Sequence, residues 1–305
     1  MATPDHRGHG AKSGDPAVTS IGEVAPEYVA ARTVLLDALQ ALAPHRLALV
    51  VVGAQAVYLR TGSAGLTVAP YTTDGDVALD PSMLGDNPLL EEAMRQHGFR
   101  LLERPGGAIE PGTWVGVTEV GGTRFEVPVD LIVPEGVLDG GKTRGARLRM
   151  HGKRAAKRTY GLEAALVDQS LMPLSGLAPG DDRCIEIAVA GVAALLVAKV
   201  IKIRDRVSDE RRPHRQRDKD AGDVLRLVRS TTVSDMAKGL EGLRRHAVAG
   251  DVTREALQGL YTLFRAPGSP GVAMAVRAVE LDVPKAQVEG QLTGYVRELQ
   301  RQLDT

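Results

Sequence analysis

Cysteine is nearly missing: Cys184 is the only one in 305 residues. An intramolecular disulfide is excluded, and the chain reads as one suited to a reducing cytosol. Cys184 precedes the apolar run Ile185-Glu186-Ile187-Ala188, so a buried packing role is expected rather than a nucleophilic one. Aromatic residues make up 3% of the chain, so its core must be built from Leu, Val and Ala. Net charge is also lacking, because 38 Lys and Arg balance 38 Asp and Glu. Any affinity for nucleic acid must therefore come from local clustering rather than from the field of the whole protein. No apolar run reaches the ~18 residues of a membrane span. The N-terminus carries no hydrophobic segment of a signal peptide. The expectation is a cytoplasmic protein with no membrane partner.

What is present begins with a hydrophobic fraction of 43% over a length suited to one large or two ordinary domains. Residues 1–22 are rich in Gly, His, Asp, Ser and Pro and read as a disordered lead-in. His6 and His9 there are better explained by a loose tail than by a metal site. From Pro26, apolar residues at helical spacing (Tyr28, Ala31, Leu35, Ala38, Leu39, Leu42) predict a helix over 26–43. Leu47 to Val52 is a continuous apolar run that reads as a buried strand. Gly53 and Ala54 then open a helix. A glycine and an alanine at a helix start let a phosphate approach free N–H groups. Taken alone, Gly53 is better explained by a plain tight turn.

The centre of the chain is Thr72-Thr73-Asp74-Gly75-Asp76-Val77-Ala78-Leu79. On a strand, residues i and i+2 share a face, so Asp74 and Asp76 project side by side. Two like charges held that close invite a hard divalent cation, which prefers carboxylate oxygens. A solvated turn carrying two acids is the competing reading. Further on, a helix over 87–97 and a strand over 98–103 are expected. Strands over 115–120 and 124–133 should turn back on each other at Gly121-Gly122. Asp130 lies alone among apolar residues of the second of these and needs a partner, since an unpaired buried carboxylate is costly. A metal shared with Asp74 and Asp76 would serve, and so would a cap or a salt bridge. Pro128 predicts an edge or a bulge in this strand.

Residues 142–158 hold Lys142, Arg144, Arg147, Arg149, Lys153, Arg154, Lys157 and Arg158 with no acid between them. Such a run suits contact with a phosphate backbone, or a solvated loop, or an acidic protein partner. Beyond 185 the pattern turns helical. A helix over 190–207 carries Lys199 inside an apolar stripe, where it must snorkel or meet an anion. A charged connector over 204–218 leads to Arg217-Asp218-Lys219-Asp220-Ala221-Gly222-Asp223, which opens another helix. Acids favour a helix start by themselves, so capping is the default role for Asp218 or Asp220. Three more helices are expected over 233–248, 252–265 and 283–303, broken by Pro267-Gly268-Ser269-Pro270.

The ordered set resembles the minimal nucleotidyltransferase core: a strand ending in Gly53-Ala54, a helix, Thr73-Asp74-Gly75-Asp76 on a strand, and Asp130 on a later one. With Lys199 and the segment Lys219-Asp220-Ala221-Gly222-Asp223, it is similar to the AbiE-type nucleotidyltransferase toxins, among them the MenT toxins of toxin–antitoxin pairs. The resemblance spans about residues 46–230. Ala54 stands where that family often has a second glycine or serine, and Gly75 where an apolar residue is frequent. The resemblance implies an α+β fold: a mixed-sheet nucleotidyltransferase core over 23–184, then a helical domain over 185–305 that contributes to the active site.

It further implies that Gly53, Ala54, Thr72 or Thr73, and Lys199 hold the triphosphate of an NTP. Asp74, Asp76 and Asp130 would bind one or two Mg²⁺, and Asp220 would orient Lys199 or the acceptor. The basic residues Arg144, Arg147, Arg149, Lys153, Arg154, Lys157 and Arg158 would grip RNA. The implied activity is transfer of NMP to the 3′ end of tRNA by a toxin that has a cognate antitoxin. A small-molecule (aminoglycoside-type) or protein nucleotidyltransferase would share the same core. A non-catalytic nucleotide- or RNA-binding protein is the alternative that Gly75 suggests.

Overall fold

The computed structural model describes residues 24–62, 64–66, 71–140, 143–209, 211 and 216–304. The lead-in over 1–22 with its two histidines, Lys142, and part of the connector over 204–218 lie outside the described residues.

Helix α1 (Pro26–Ala41) starts with proline at its first turn and ends before Pro44, as its spacing predicts. Its buried side chains Val34, Leu35 and Leu36 lie under the sheet. The chain then forms β1 (Leu49–Val52), every residue of which is buried, and runs straight into α2 (Gly53–Thr61). Strand β2 (Gly75–Leu79), helix α3 (Leu90–Gln96), strand β3 (Arg100–Glu103) and the hairpin β4 (Ile109–Val120) and β5 (Thr123–Pro134) follow. That hairpin turns at Gly121-Gly122, as expected. Three strands had no clear sequence signal: β6 (Lys157–Thr159), β7 (Gln169–Ser175) and β8 (Cys184–Ala190).

The sheet is mixed. Among the described residues its order is β3-β4-β5-β2-β1-β8-β7, with β6 paired to β5 off that path. β1 runs antiparallel to β2 and parallel to β8, and β2 runs parallel to β5. β8 lies past the expected boundary at 184, yet it is an inner strand between β1 and β7. The sheet therefore reaches beyond the division read from the sequence.

Two local expectations are corrected. β5 is flanked by β4 and β2, so it is not an edge strand. Pro128 is tolerated because β2 first meets β5 at the pair Gly75 and Val129, one residue later. At Pro128 itself the missing N–H faces no strand on that side. Cys184 is exposed rather than buried. It opens β8 opposite Ser175, before the strand enters the core.

The helical part comprises α4 (Val192–Val207), α5 (Asp218–Ser230), α6 (Val233–Arg245), α7 (Gly250–Phe264), α8 (Pro270–Ala278) and α9 (Lys285–Leu303). The spacing of the sequence does not predict α8. Pro270, read as a break, is its first residue, a position where the missing N–H is no loss. α4 and α5 pack on each other and on α2, which brings the helical part against the end of β1. The architecture is α+β: a mixed sheet followed by a helical C-terminal region. Among the described residues no helix is long and apolar enough to cross a membrane.

Candidate active site

The site begins where β1 becomes α2. Gly53 holds φ +71°, a left-handed conformation that favours glycine. A Cβ there would collide with the Asp76 carboxylate. No side chain caps the start of α2, so its first N–H groups carry the positive end of the helix dipole without a side-chain partner. Ala54 is buried behind them. Gly53→Ala is expected to lower stability by more than about 1 kcal/mol and to displace Asp76. Thermal melts of the variant and its activity check this together, and an unchanged melting temperature would refute the left-handed glycine.

Strand register sets the acids beside one another. Asp76 pairs with Val52 on one side and with Asp130 on the other. Asp130 pairs in turn with Thr113. Directly opposed residues share a face, so Asp76 and Asp130 stand in one row; Asp74 lies just before β2 rather than on it, near enough for its charge to act on Asp76. Gly75 points the other way: a Cβ on it would lie 3.2 Å from Leu35 Cδ1 of α1. The unusual glycine is thus explained by tight packing of α1 beneath it.

The three acids are held differently. Asp74 accepts from Thr72 Oγ1 at 2.5 Å, and Thr72 Oγ1 accepts from Lys219 Nζ at 3.0 Å. The Asp74 carbonyl accepts from Gln55 Nε2 at 3.1 Å, and Gln55 is held by buried Arg32 at 2.7 Å. Asp130 accepts from Thr113 Oγ1 at 2.7 Å and forms an ion pair with Lys157. Asp76 has no such partner among the described residues. Burial, with the charges of Asp74 and Asp130, pushes its carboxyl up to about 6.

A second cluster joins α4 to α5. Lys199 Nζ donates to Asp220 Oδ1 at 3.1 Å and to Asp223 Oδ2 at 2.5 Å. Asp220 also meets Lys202 at 3.3 Å and Arg206 at 2.5 Å. Burial alone pulls the Lys199 ammonium down, but Asp223 and Asp220 more than offset it and hold it above the lysine range. Burial likewise raises the Asp220 carboxyl, and Lys199, Lys202 and Arg206 outweigh it and hold it below the carboxylate range.

This arrangement corrects the expected role of Lys199. Its side chain is 5% exposed and committed to two carboxylates, so it is not presented to a triphosphate. Asp220 pairs with it, as one of the two expected roles requires. Lys202, 44% exposed at the tip of the same cluster, is presented instead. So is Lys219, whose ammonium is lowered by burial and supported by the charge of Asp74. Thr72 is buried and bound to Asp74, whereas Thr73 is exposed.

The basic run is not one free patch. Arg144 pairs with Glu110, Arg149 with Asp86 at 3.4 Å, Arg154 with Glu91 at 3.0 Å, and Arg158 with Glu135 at 3.5 Å. Lys157 turns inward to Asp130. Arg147 and Lys153 are exposed and carry no ion pair among the described residues. The acids that neutralise the run come from distant parts of the chain, so the sequence spacing does not reveal them. The same holds for Lys202, Arg206 and Thr113, which belong to the site but have no local signature, and for the pairing of Asp223 with Lys199, although Asp223 itself closes the segment Lys219-Asp220-Ala221-Gly222-Asp223.

A hard divalent cation fits part of the acid row. Asp74 and Asp76 offer adjacent carboxylates, and the partnerless, raised Asp76 is a charge that a cation would stabilise. The three acids do not close on a common point, because Asp130 is engaged by Lys157 and Thr113. Among the described residues no group of three Asp, Glu, His or Cys side chains is arranged to hold a metal. Beside the row, Tyr58, Tyr71, Lys219, Asp223, Arg226 and Val279 line a cleft of about 210 Å³.

No family model matches the chain, and neither does any curated protein. Among solved structures it is similar to an antigenic nucleotidyltransferase-like protein from Paracoccidioides brasiliensis. The match covers 81% of this chain and 92% of the other, at 15% identity and a TM-score of 0.43. A likeness at that level carries no argument about activity.

Proposed function

We propose that the chain is a nucleotidyltransferase that moves NMP from an NTP to an acceptor hydroxyl. The observation that carries this reading is the Asp76–Asp130 row at the uncapped start of α2, with Lys202 and Lys219 beside it. A phosphate chain would lie along the N–H groups of Gly53 and Ala54 and the Thr73 hydroxyl, with Lys202 and Lys219 neutralising its charge. The nucleoside has the adjoining cleft. Asp74 and Asp76 would hold a divalent cation such as Mg²⁺, which supplies positive charge against the phosphates. The acceptor oxygen bonds to the α-phosphorus. The bond from that phosphorus to the bridging oxygen breaks, and pyrophosphate leaves with the electron pair. The hydroxyl proton passes to a carboxylate of the row.

The finer reading is a toxin that modifies the 3′ end of tRNA and is answered by an antitoxin. It rests on the resemblance in motif order, from Asp74 and Asp76 through Lys199 to Asp220. Arg147 and Lys153, with pairs of the basic run that open on contact, would meet the RNA backbone. A second reading, a small-molecule acceptor, is favoured by the internal neutralisation of that run. A third reading, a non-catalytic nucleotide- or RNA-binding protein, is favoured by the acids' failure to gather into a metal-holding group among the described residues rather than by Gly75, which answers to α1.

One assay separates these. Purified protein, Mg²⁺ and α-labelled NTPs are offered total tRNA, an aminoglycoside and bulk protein. Label on tRNA, abolished by Asp76→Asn, is the expected result. Label on the antibiotic alone overturns the RNA reading, and no label on any acceptor overturns the enzyme.

A further inference from the structure

Among the described members of the basic run, Lys157 is the one whose ion pair lies in the acid row. Its side chain is 13% exposed, and its ammonium reaches Asp130 Oδ2 in the acid row. The fold builds this position deliberately. β6 pairs in parallel with β5, placing Lys157 beside Ile132. The segment before it is buried at Ala155 and Ala156. The Trp114 indole N–H, itself fully buried, donates to the Ala155 carbonyl at 2.9 Å. Gly112, at φ +71°, leaves no room for a Cβ against the Lys157 amide, so only glycine lets β6 lie this close. The Gly112 N–H is bonded to the Arg154 carbonyl at 2.8 Å.

We propose that Lys157 is a tethered counter-cation of the acid row, and that the site consequently takes one divalent ion rather than two. This deepens the nucleotidyltransferase reading and rests on it. The three carboxylates carry three negative charges, and the ammonium satisfies one of them from within the chain. Asp74 and Asp76 are the carboxylates of the row left without an ion pair among the described residues, and two carboxylates can hold one divalent cation beside a phosphate chain. A second ion would need the Asp130 oxygen that Lys157 occupies, and would stand against a fixed positive charge. Lys157 is thus a positioning residue: it holds Asp130 in register and sets the number of ions.

The test counts ions directly, by Mn²⁺ titration of the full chain followed by electron paramagnetic resonance, with no nucleotide present. The expected result is one tightly bound Mn²⁺ per chain, lost in Asp76→Ala. Lys157→Met is expected to admit a second Mn²⁺. Lys157→Arg, which keeps the charge, is expected to hold the count at one, and its melting temperature guards against a misfolded variant. Two ions bound by the unaltered chain would overturn the proposal while leaving the enzyme reading intact. A count unchanged by Lys157→Met would do the same. Absence of any Asp76-dependent Mn²⁺ would remove the metal site and both readings with it.

Discussion

Replacing Lys199 by methionine is expected to destabilise the protein by about 3–5 kcal/mol, the usual result of orphaning a buried charge. The side chain is enclosed between Asp220 and Asp223. Asp220 would keep Lys202 and Arg206. Asp223, 2% exposed, would lose its ion-pair partner. The larger part of the loss therefore falls on Asp223. Adding Asp223→Asn to Lys199→Met is expected to recover a good part of the lost stability, because the unpaired carboxylate is then gone. For a chain of this length the single variant should melt lower by roughly 5–8 °C. Thermal melts of the two single variants and the double variant form the cycle that checks it. If Lys199→Met melts with the unaltered protein, the ammonium is not buried between those acids.

Asp76→Asn is expected to move stability the other way. The Asp76 carboxyl is pushed from 3.8 up to about 6 by burial and by Asp74 and Asp130. A carboxyl raised on folding holds its proton more tightly in the folded state. Its contribution is full below the unfolded value near 4 and is lost as pH rises through about 6. At neutral pH the ionised group therefore opposes folding, by up to about 3 kcal/mol. The amide removes that penalty, so the variant should melt several degrees higher at pH 7.5 and close to the unaltered protein near pH 4. Transfer activity should fall on the order of 10²-fold or more. Mg²⁺ should raise the melting temperature of the unaltered chain more than that of the variant. A variant that melts lower at pH 7.5 would show that Asp76 is paired and stabilising. The opposed signs in stability and activity are the mark of a charge kept for chemistry.

The acid row was legible because its signal is local. The two-residue spacing keeps Asp74 near Asp76 although β2 begins only at Gly75, and a lone acid in the run around Asp130 demands company. The hairpin at Gly121-Gly122 and the helix carrying Lys199 follow from short-range pattern in the same way. What escaped was pairing between distant segments. Lys157 looks like one of eight surface bases until β6 is laid against β5. Lys202 and Arg206 look like a helix end until α5 brings Asp220 to them. β7 contains Pro173 and alternates poorly, and its place is given by β8 rather than by its own residues. The apolar residues after Cys184 suggest a core position for it, but the strand has only begun there.

The position of β8 also bears on how the chain reaches this structure. β1 is one of the first strands made, yet Val50 waits for Ala188 as its neighbour. β7 joins the sheet through β8 alone. During synthesis on the ribosome, one side of β1 remains an open edge until residue 190 has emerged. Such an edge is adhesive, and closing it by so distant a pairing is slow. The nascent chain thus passes through a long interval in which a bare, fully apolar strand must be shielded, and that interval ends only when β8 arrives.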